Sequence, residues 1–206
     1  MSVIDHLVYA TPDLDETVET LRNDCGIDLI AGGPHIGRGT RNYLAGLGDG
    51  RYLEVIGPDP DQGRPTVPRP FGIDDIDEAR LVTWCARPSR PLDEVAVRVR
   101  AAGYDLGTIM EMSRRRPDGV LLEWELTVRP GKPHALIPFC INWGATPHPT
   151  TTLGETTILR ALCLSDPEPT AIQNVLRAIG EEIDVRQGDR SLEAELTTPR
   201  GSLTLR

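Results

Sequence analysis

The chain has few aromatic residues and no excess of positive charge. Phe, Trp and Tyr make up 4% of its 206 residues, and the formal net charge is -9 at pH 7. Nucleic acids and anionic membranes select basic surfaces, so neither is expected as a partner. No stretch reaches the roughly 20 apolar residues of a membrane-spanning helix. The amino-terminal segment MSVIDHLVYATPD also lacks the basic and apolar regions of a secretion signal.

The cysteines do not form a recognisable zinc motif. Cys25, Cys85, Cys140 and Cys163 lie far apart, with no CxxC and no Cys/His pair at zinc-ligand spacing. Three of them lie in apolar runs typical of strands, where a free cysteine behaves as a small hydrophobic residue. We therefore expect reduced thiols and a cytoplasmic location.

A pattern of one strand, one helix and three further strands occurs three times. The repeats open with IDHLVYATPDLDETVETLRNDCG, LVTWCARPSRPLDEVAVRVRAAG and ILRALCLSDPEPTAIQNVLRAIG. They start near positions 4, 81 and 158, so successive units begin 77 residues apart. In the first unit, Asp13 followed by Glu16 predicts a helix start, and Gly26 predicts its end.

The strands that follow each helix are separated by turn signals. In the first unit we predict these strands at 27–31, 39–47 and 50–57. In the second unit we predict them at 107–114, 120–128 and 136–143, with a turn at Pro117-Asp118-Gly119. In the third unit we predict them at 182–187, 191–198 and 201–206. These elements predict an α+β fold of tandem βαβββ modules, at about 1–60, 79–145 and 156–206, in a single domain of residues 1–206. One such unit cannot bury both faces of its sheet, so the units should pair. A generic α+β sandwich with chance similarity between segments is the alternative.

Several motifs, taken together, resemble one known family. They are IDHLVYATPDLDE, GGPHIGRGTRNYLAGLGDGRYLEVIG, SRRRPDGVLLEWEL, PFCINWGATPHP and TPRGSLTL. In this order they resemble the glyoxalase-like branch of the vicinal oxygen chelate superfamily, which also includes bleomycin resistance proteins and dioxygenases. The resemblance implies paired βαβββ modules whose curved mixed sheets surround a small-molecule cavity, often with a divalent metal. It also implies ligands on the first and last strands of each module.

His6 and Glu54 occupy the two positions in the first unit where the family places metal ligands. A His and a carboxylate together suit Fe, Mn, Zn, Ni or Co. By alternation, His6 faces away from Asp5, and Glu54 shares its face with Tyr52 and Ile56. A carboxylate on such an apolar face needs a partner, a metal or a proton. The alternative is a core histidine and a carboxylate paired with an arginine.

The second unit offers weaker ligands. Its first strand carries Thr83 and Trp84, and its last strand carries Asn142, where related proteins often carry Glu. A neutral amide is a poor ligand for a transition metal. A site that combines the first-unit pair with His35 or His148 and waters remains open.

The glycine-rich segment supplies further polar groups. Its glycines permit backbone geometry closed to other residues, which could carry His35 to the lip of the cavity. We predict His35 and Glu54 as catalytic residues and Asn42, on the next strand, as a substrate contact. A flexible loop with an exposed histidine is the plain alternative for His35.

Three later residues complete the predicted substrate site. Arg114 could fix a carboxylate or phosphate through a forked hydrogen bond. Trp143 is expected in the cavity wall, and His148, between two prolines, could close the pocket. The alternatives are charge that protects an edge strand for Arg114, a core role for Trp143 and a solvated side chain for His148.

These residues predict binding of a small polar organic molecule. The first hypothesis is a metal-dependent lyase, isomerase or dioxygenase-type enzyme, with the metal acting on vicinal oxygens of the substrate. The second is a metal-free protein that sequesters a toxic compound, as related antibiotic-resistance proteins do. A third, in which the sheet serves only for oligomerisation, predicts a cavity filled by large side chains. A sheet edge could also support a homodimer.

Overall fold

A computed structural model describes residues 2–63, 65–116 and 118–206, so Pro117 of the predicted turn lies outside the described residues. The first unit comprises β1 (Ser2–Ala10), α1 (Leu14–Cys25), β2 (Ile30–His35), β3 (Thr40–Gly46) and β4 (Tyr52–Pro58). The second comprises β5 (Arg80–Pro88), α2 (Leu92–Ala101), β6 (Thr108–Arg115), β7 (Leu121–Val128) and β8 (Phe139–Asn142). The third comprises β9 (Ile158–Asp166), α3 (Pro169–Ile179), β10 (Val185–Gln187), β11 (Ser191–Thr198) and β12 (Gly201–Leu205). Short 3-10 segments cover Pro70–Asp75 and Pro149–Thr152.

Helix α1 begins and ends where its sequence predicts. The Asp13 side chain accepts a hydrogen bond from the Glu16 backbone N–H at 3.1 Å, which satisfies one free donor of the first turn. Gly26 follows the helix in the left-handed conformation, with φ of 71°. Leu14, Val18 and Leu21 are buried against the sheet. Within the described part of the chain, no helix is long and apolar enough to cross a membrane.

The first two units form one eight-stranded sheet in the order β2-β3-β4-β1-β5-β8-β7-β6. Strands β1 and β5 pair antiparallel at its centre, and each pairs in parallel with the last strand of its own unit. The two outer strands come together, because Gly32 of β2 lies against Arg114 of β6. The sheet is therefore strongly curved and nearly barrel-like, and the two modules pair within one chain.

The third unit keeps the element order but pairs its strands differently. Its separate sheet has the order β10-β9-β11-β12, so the parallel neighbour of β9 is β10, the second strand of the unit. It is attached to the first sheet by backbone hydrogen bonds, from Leu159 to Leu47 at 2.9 Å and from Leu81 to Arg206 at 2.6 Å. Its apolar residues join the same core as those of the first two units. A shared pattern of elements therefore does not fix the strand pairing.

The two faces of the eight-stranded sheet differ in character. On the outer face, Leu7, Leu53 and Trp84 are completely buried beneath helices and the third unit. On the inner face, polar side chains lie between two smaller apolar clusters, one around Tyr52 and one around Val8. The third hypothesis of the sequence analysis, a cavity filled only by large side chains, does not describe this polar inner face.

Strand β2 differs from its prediction. It covers residues 30 to 35 rather than 27–31, so the GGPH segment is part of a strand and not a turn. Gly33 has a φ of 118°, and the pairing with β3 shifts register between Ala31 and Gly33. The glycine accommodates this irregularity, which a residue with a side chain would strain.

Candidate functional site

The site begins with side chains on the central strands. Across neighbouring strands, His6 pairs with Tyr52 on one side and with Cys85 on the other, while Glu54 pairs with Val8. Paired residues project to the same face of a sheet, so these side chains meet on the inner wall. His6 is 3% exposed and Glu54 is 8% exposed. The two residues predicted as metal ligands are therefore buried on one face.

A β-bulge brings Asp5 to this site. The pairing of β1 with β5 passes from Ile4 opposite Ala86 to His6 opposite Cys85, which leaves Asp5 without an opposite residue. Strict alternation predicts Asp5 and His6 on opposite faces, and that prediction is wrong. The extra residue rotates the local strand, so both side chains reach one network.

Asp5 is the common acceptor of three ring N–H donors. It accepts hydrogen bonds from His6 Nδ1 at 2.7 Å, from His148 Nε2 at 3.0 Å and from Trp143 Nε1 at 3.1 Å. Burial disfavours the ionised carboxylate, but the hydrogen bonds from His148 and His6 outweigh burial and hold the pKa of Asp5 well below its usual range. Asp5 was not among the site residues predicted from the sequence. Its only signal was a carboxylate within an apolar strand.

The Asp5 carboxylate fixes the orientation of His6. Since an ionised carboxylate can only accept, His6 Nδ1 donates, and the other ring nitrogen, Nε2, faces Glu54 Oε2 at 3.8 Å. The ring also stacks on Tyr52, with centroids 4.5 Å apart. His6 thus presents its Nε2 atom towards the Glu54 carboxylate.

Glu54 is held from the opposite side by Asn42. The Asn42 amide nitrogen donates to Glu54 Oε1 at 2.5 Å, and its oxygen accepts from Arg114 Nη1 at 2.5 Å. A guanidinium can only donate, so this contact determines which end of the Asn42 amide faces Glu54. Arg114 lies on β6, at the far edge of the curved sheet, and it therefore orients Asn42, which contacts Glu54.

His35 lies beside Glu54 at the end of β2, and not on a loop. Its Nε2 is 3.9 Å from Glu54 Oε1 and 3.4 Å from the Asn42 amide nitrogen, while its Nδ1 contacts Thr40 Oγ1 at 3.1 Å. Burial lowers the pKa of His35 to about 4, although Glu54 acts in the opposite direction. The ring is therefore neutral near pH 7.

Trp143 and His148 lie on the Asp5 side of the network. Besides bonding to Asp5, their rings pack edge to face with centroids 5.5 Å apart. His148 Nδ1 accepts from the Thr150 backbone, consistent with donation from Nε2. The structure thus brings together all the residues predicted for catalysis, metal binding and substrate binding, with their roles still predictions.

The second unit contributes a different set of groups. With a repeat of 77 residues, Cys85 corresponds to Val8, and Phe139 lies opposite Cys85 as Glu54 lies opposite Val8, so Phe139 occupies the position equivalent to Glu54. Asn142 points away: it is exposed and donates to Glu125 at 3.2 Å. Burial raises the pKa of the Cys85 thiol well above its usual value. The two carboxylates of the site, Asp5 and Glu54, therefore come from the first unit.

The donor set fits a divalent metal only in part. Potential ligand atoms of Asp5, His6 and Cys85 lie within 4.8 Å of one another, and Glu54 faces His6 Nε2. A histidine backed by a carboxylate and a glutamate backed by an amide are the arrangement expected of metal ligands with supporting partners. His6 and Glu54 would hold such an ion, with Cys85 adjacent, while Phe139, whose ring lies 5.5 Å from that of His6, offers no donor.

A pocket of about 260 Å³ adjoins this network. It lies between β2, β6 and the Pro149–Thr152 segment, and Arg114 and Leu44 belong to its wall. Leu44 is opposite Glu54 in the sheet, so the pocket lies next to the buried polar residues.

The two βαβββ modules together form one barrel-like sheet with a buried polar inner wall. A family model described as a glyoxalase-like domain matches residues 4–180, and the chain belongs to this family. A comparison with curated proteins found no match.

Solved structures share this fold at low sequence identity. A hypothetical protein from Staphylococcus aureus is 15% identical, with a TM-score of 0.64, over 99% of this chain and 84% of the other. A variant of Streptomyces coelicolor methylmalonyl-CoA epimerase, in complex with 2-nitronate-propionyl-CoA, is 21% identical over 71% of this chain and 98% of the other, with a TM-score of 0.43. The epimerase from Mycobacterium tuberculosis is 20% identical over 59% and 77%, with a TM-score of 0.37. The first match supports the fold of the whole chain.

Proposed function

We propose that this protein is a glyoxalase-like enzyme of the lyase, isomerase or dioxygenase type, acting on a small polar organic substrate at a divalent metal held by His6 and Glu54. One observation carries the proposal: each ligand is fixed by a buried partner, His6 by Asp5 and Glu54 by Asn42. Buried polar groups of this kind reduce stability unless they are fully satisfied, so their presence favours a functional role.

The residues of the network have distinct tasks in this proposal. When bound, the metal supplies Lewis-acid polarisation of vicinal substrate oxygens. Asp5 keeps His6 Nδ1 protonated and its ring oriented, while Asn42 orients Glu54. Neutral His35 is placed beside Glu54 to accept a proton from the substrate. Isomerase and lyase reactions both need such a base.

In this proposal, Trp143 and His148 form the wall of the substrate site on the side where Asp5 lies. Both are bonded to Asp5 through a ring N–H, so a change in either also alters the setting of His6. Arg114 contacts the substrate or orients Asn42. A homodimer and a cytoplasmic location remain predictions.

The residues that the second unit contributes to the site favour a second function. Phe139 stands where a second carboxylate would complete a metal site, and Cys85 stands opposite His6. An apolar half beside a polar half suits a protein that binds a small molecule without a metal and without chemistry.

Elemental analysis of protein purified without chelator tests the choice. We expect near-stoichiometric metal in the parent and in Glu125→Gln, which removes a half-buried carboxylate that bonds to Asn142 outside the network, and loss of metal in Glu54→Gln. Asp5→Asn should weaken metal affinity by about 10–100-fold, as for other supporting partners of metal ligands. Circular dichroism would verify that each variant is folded.

The outcomes separate the two functions. Equal metal content in the parent and in Glu54→Gln would overturn the ligand assignment. Absence of metal after incubation with Fe, Mn, Co, Ni or Zn would overturn the metal-dependent enzyme and favour the binding protein.

A further inference from the structure

Arg114 is a buried cation without a matching anion. Its side chain is 6% exposed, and among the described residues no carboxylate lies within ion-pair distance of it. Its hydrogen bond goes to the neutral Asn42 amide, and its Nε is buried with no partner in the described parts of the chain. A buried charge without a counter-ion is costly. The guanidinium is thus prepared for an anion that the chain does not supply.

The pocket at Arg114 has the shape of a small ligand site. Its volume of about 260 Å³ is below the roughly 300–1,000 Å³ of pockets for drug-sized molecules. Its walls are mainly apolar, and they include Ile30, Leu44, Leu122 and Leu153. A ligand for this space combines one anionic end with a compact apolar part.

The remaining charged groups at the pocket indicate how much negative charge it can take. Arg116 and Asp118 are both in its wall, and they form an ion pair at 2.8 Å that balances their charges. Arg114 is then the one cation of the pocket wall that is not neutralised by a neighbouring carboxylate. This balance favours a single negative charge over a dianion.

We infer that this pocket binds the carboxylate of a small monoanionic acid through Arg114 and holds its short apolar substituent against the leucines of the wall. The inference rests on the proposed function in one respect, since it places the acid as substrate. Arg114 bonds to Asn42, and Asn42 bonds to Glu54. The carboxylate of the bound acid is therefore connected to Glu54 through these two side chains.

Binding of isovalerate to chelator-treated protein tests this inference apart from the metal site. Isovaleramide has the same shape without the charge, and inorganic phosphate supplies a dianion. We expect isovalerate to bind more tightly than either, and Arg114→Gln to weaken isovalerate by about tenfold or more, as for loss of a charged hydrogen bond. Arg115→Gln, which alters an exposed neighbour bonded to the Gly119 carbonyl, should bind as the parent does.

A second variant guards against disruption of the fold by Arg114→Gln. Ala31 is exposed and belongs to the pocket wall, so Ala31→Trp fills the pocket without changing the buried network. It should also lose isovalerate binding while it keeps the parent's circular dichroism spectrum.

Equal binding of isovalerate and isovaleramide, tighter binding of phosphate, or unchanged isovalerate affinity in Arg114→Gln would overturn the inference. The separate elemental analysis distinguishes this outcome from failure of the proposed function. If the untreated protein takes up no metal but the chelator-treated protein binds isovalerate, the acid site is retained and only the metal-dependent enzyme is rejected. A metal-bound protein that ignores isovalerate would reject only the acid site.

Discussion

Moderate acid should destabilise this protein through His35. The imidazole has an ordinary pKa of 6.5, and burial lowers it to about 4 in the folded protein. Between these values the unfolded chain carries one more proton at this residue, so the free energy of unfolding falls as the pH falls across the window. The full effect of the shift is about 3 kcal/mol, and about 2 kcal/mol of it is lost between about pH 7.5 and about pH 5.

Urea denaturation of the parent and of His35→Gln over this range measures the effect. The variant has no imidazole at this position, so its stability should fall by about 2 kcal/mol less than that of the parent. Comparison of the two proteins removes contributions from other groups, including His134, whose pKa is also lowered by burial. Parallel loss of stability in both proteins would refute the proposed burial of neutral His35.

Two further predictions concern close packing around the site. A methyl group added in Gly32→Ala would approach the Asn42 amide oxygen closer than the 3.0 Å that real side chains keep. We therefore expect the free energy of unfolding to fall by about 1–3 kcal/mol. The control variant Gly63→Ala adds its methyl group in open space and should be as stable as the parent. Equal stability of the two variants would contradict this packing. Burial raises the pKa of Cys85, and that of Cys140 to about 12, and both residues are fully buried. Iodoacetamide should therefore label them only in unfolded protein, as followed by peptide mass spectrometry, and rapid labelling of native protein would count against their burial.

The elements of the fold could be predicted because each one has a local signal. Asp13 and Gly26 mark the ends of α1 through hydrogen bonds made within a few residues. The alternating direction of side chains along β3 and β4 likewise depends on neighbours in the chain. The order of strands in the third sheet has no such signal, because it depends on which surfaces pack together.

The candidate site was predictable where a residue's own strand determines its direction. Glu54 lies on the expected face of β4, and its partner Asn42 lies on the neighbouring strand. Asp5 was missed because a bulge, which depends on the pairing with β5, reverses the expected alternation. The short bond between Asn42 and Arg114 joins residues 72 positions apart and could not be read from either segment.

The pairing of two modules within one chain has a consequence for the symmetry of ligand recognition. In a symmetric dimer of single modules, a residue placed on one side of the axis must also appear on the other. Here the two halves are free to differ, so Glu54 in one half has an apolar counterpart, Phe139, in the other. A ligand in this cavity therefore meets a polar side and an apolar side, and it can be held in one orientation rather than in two equivalent ones.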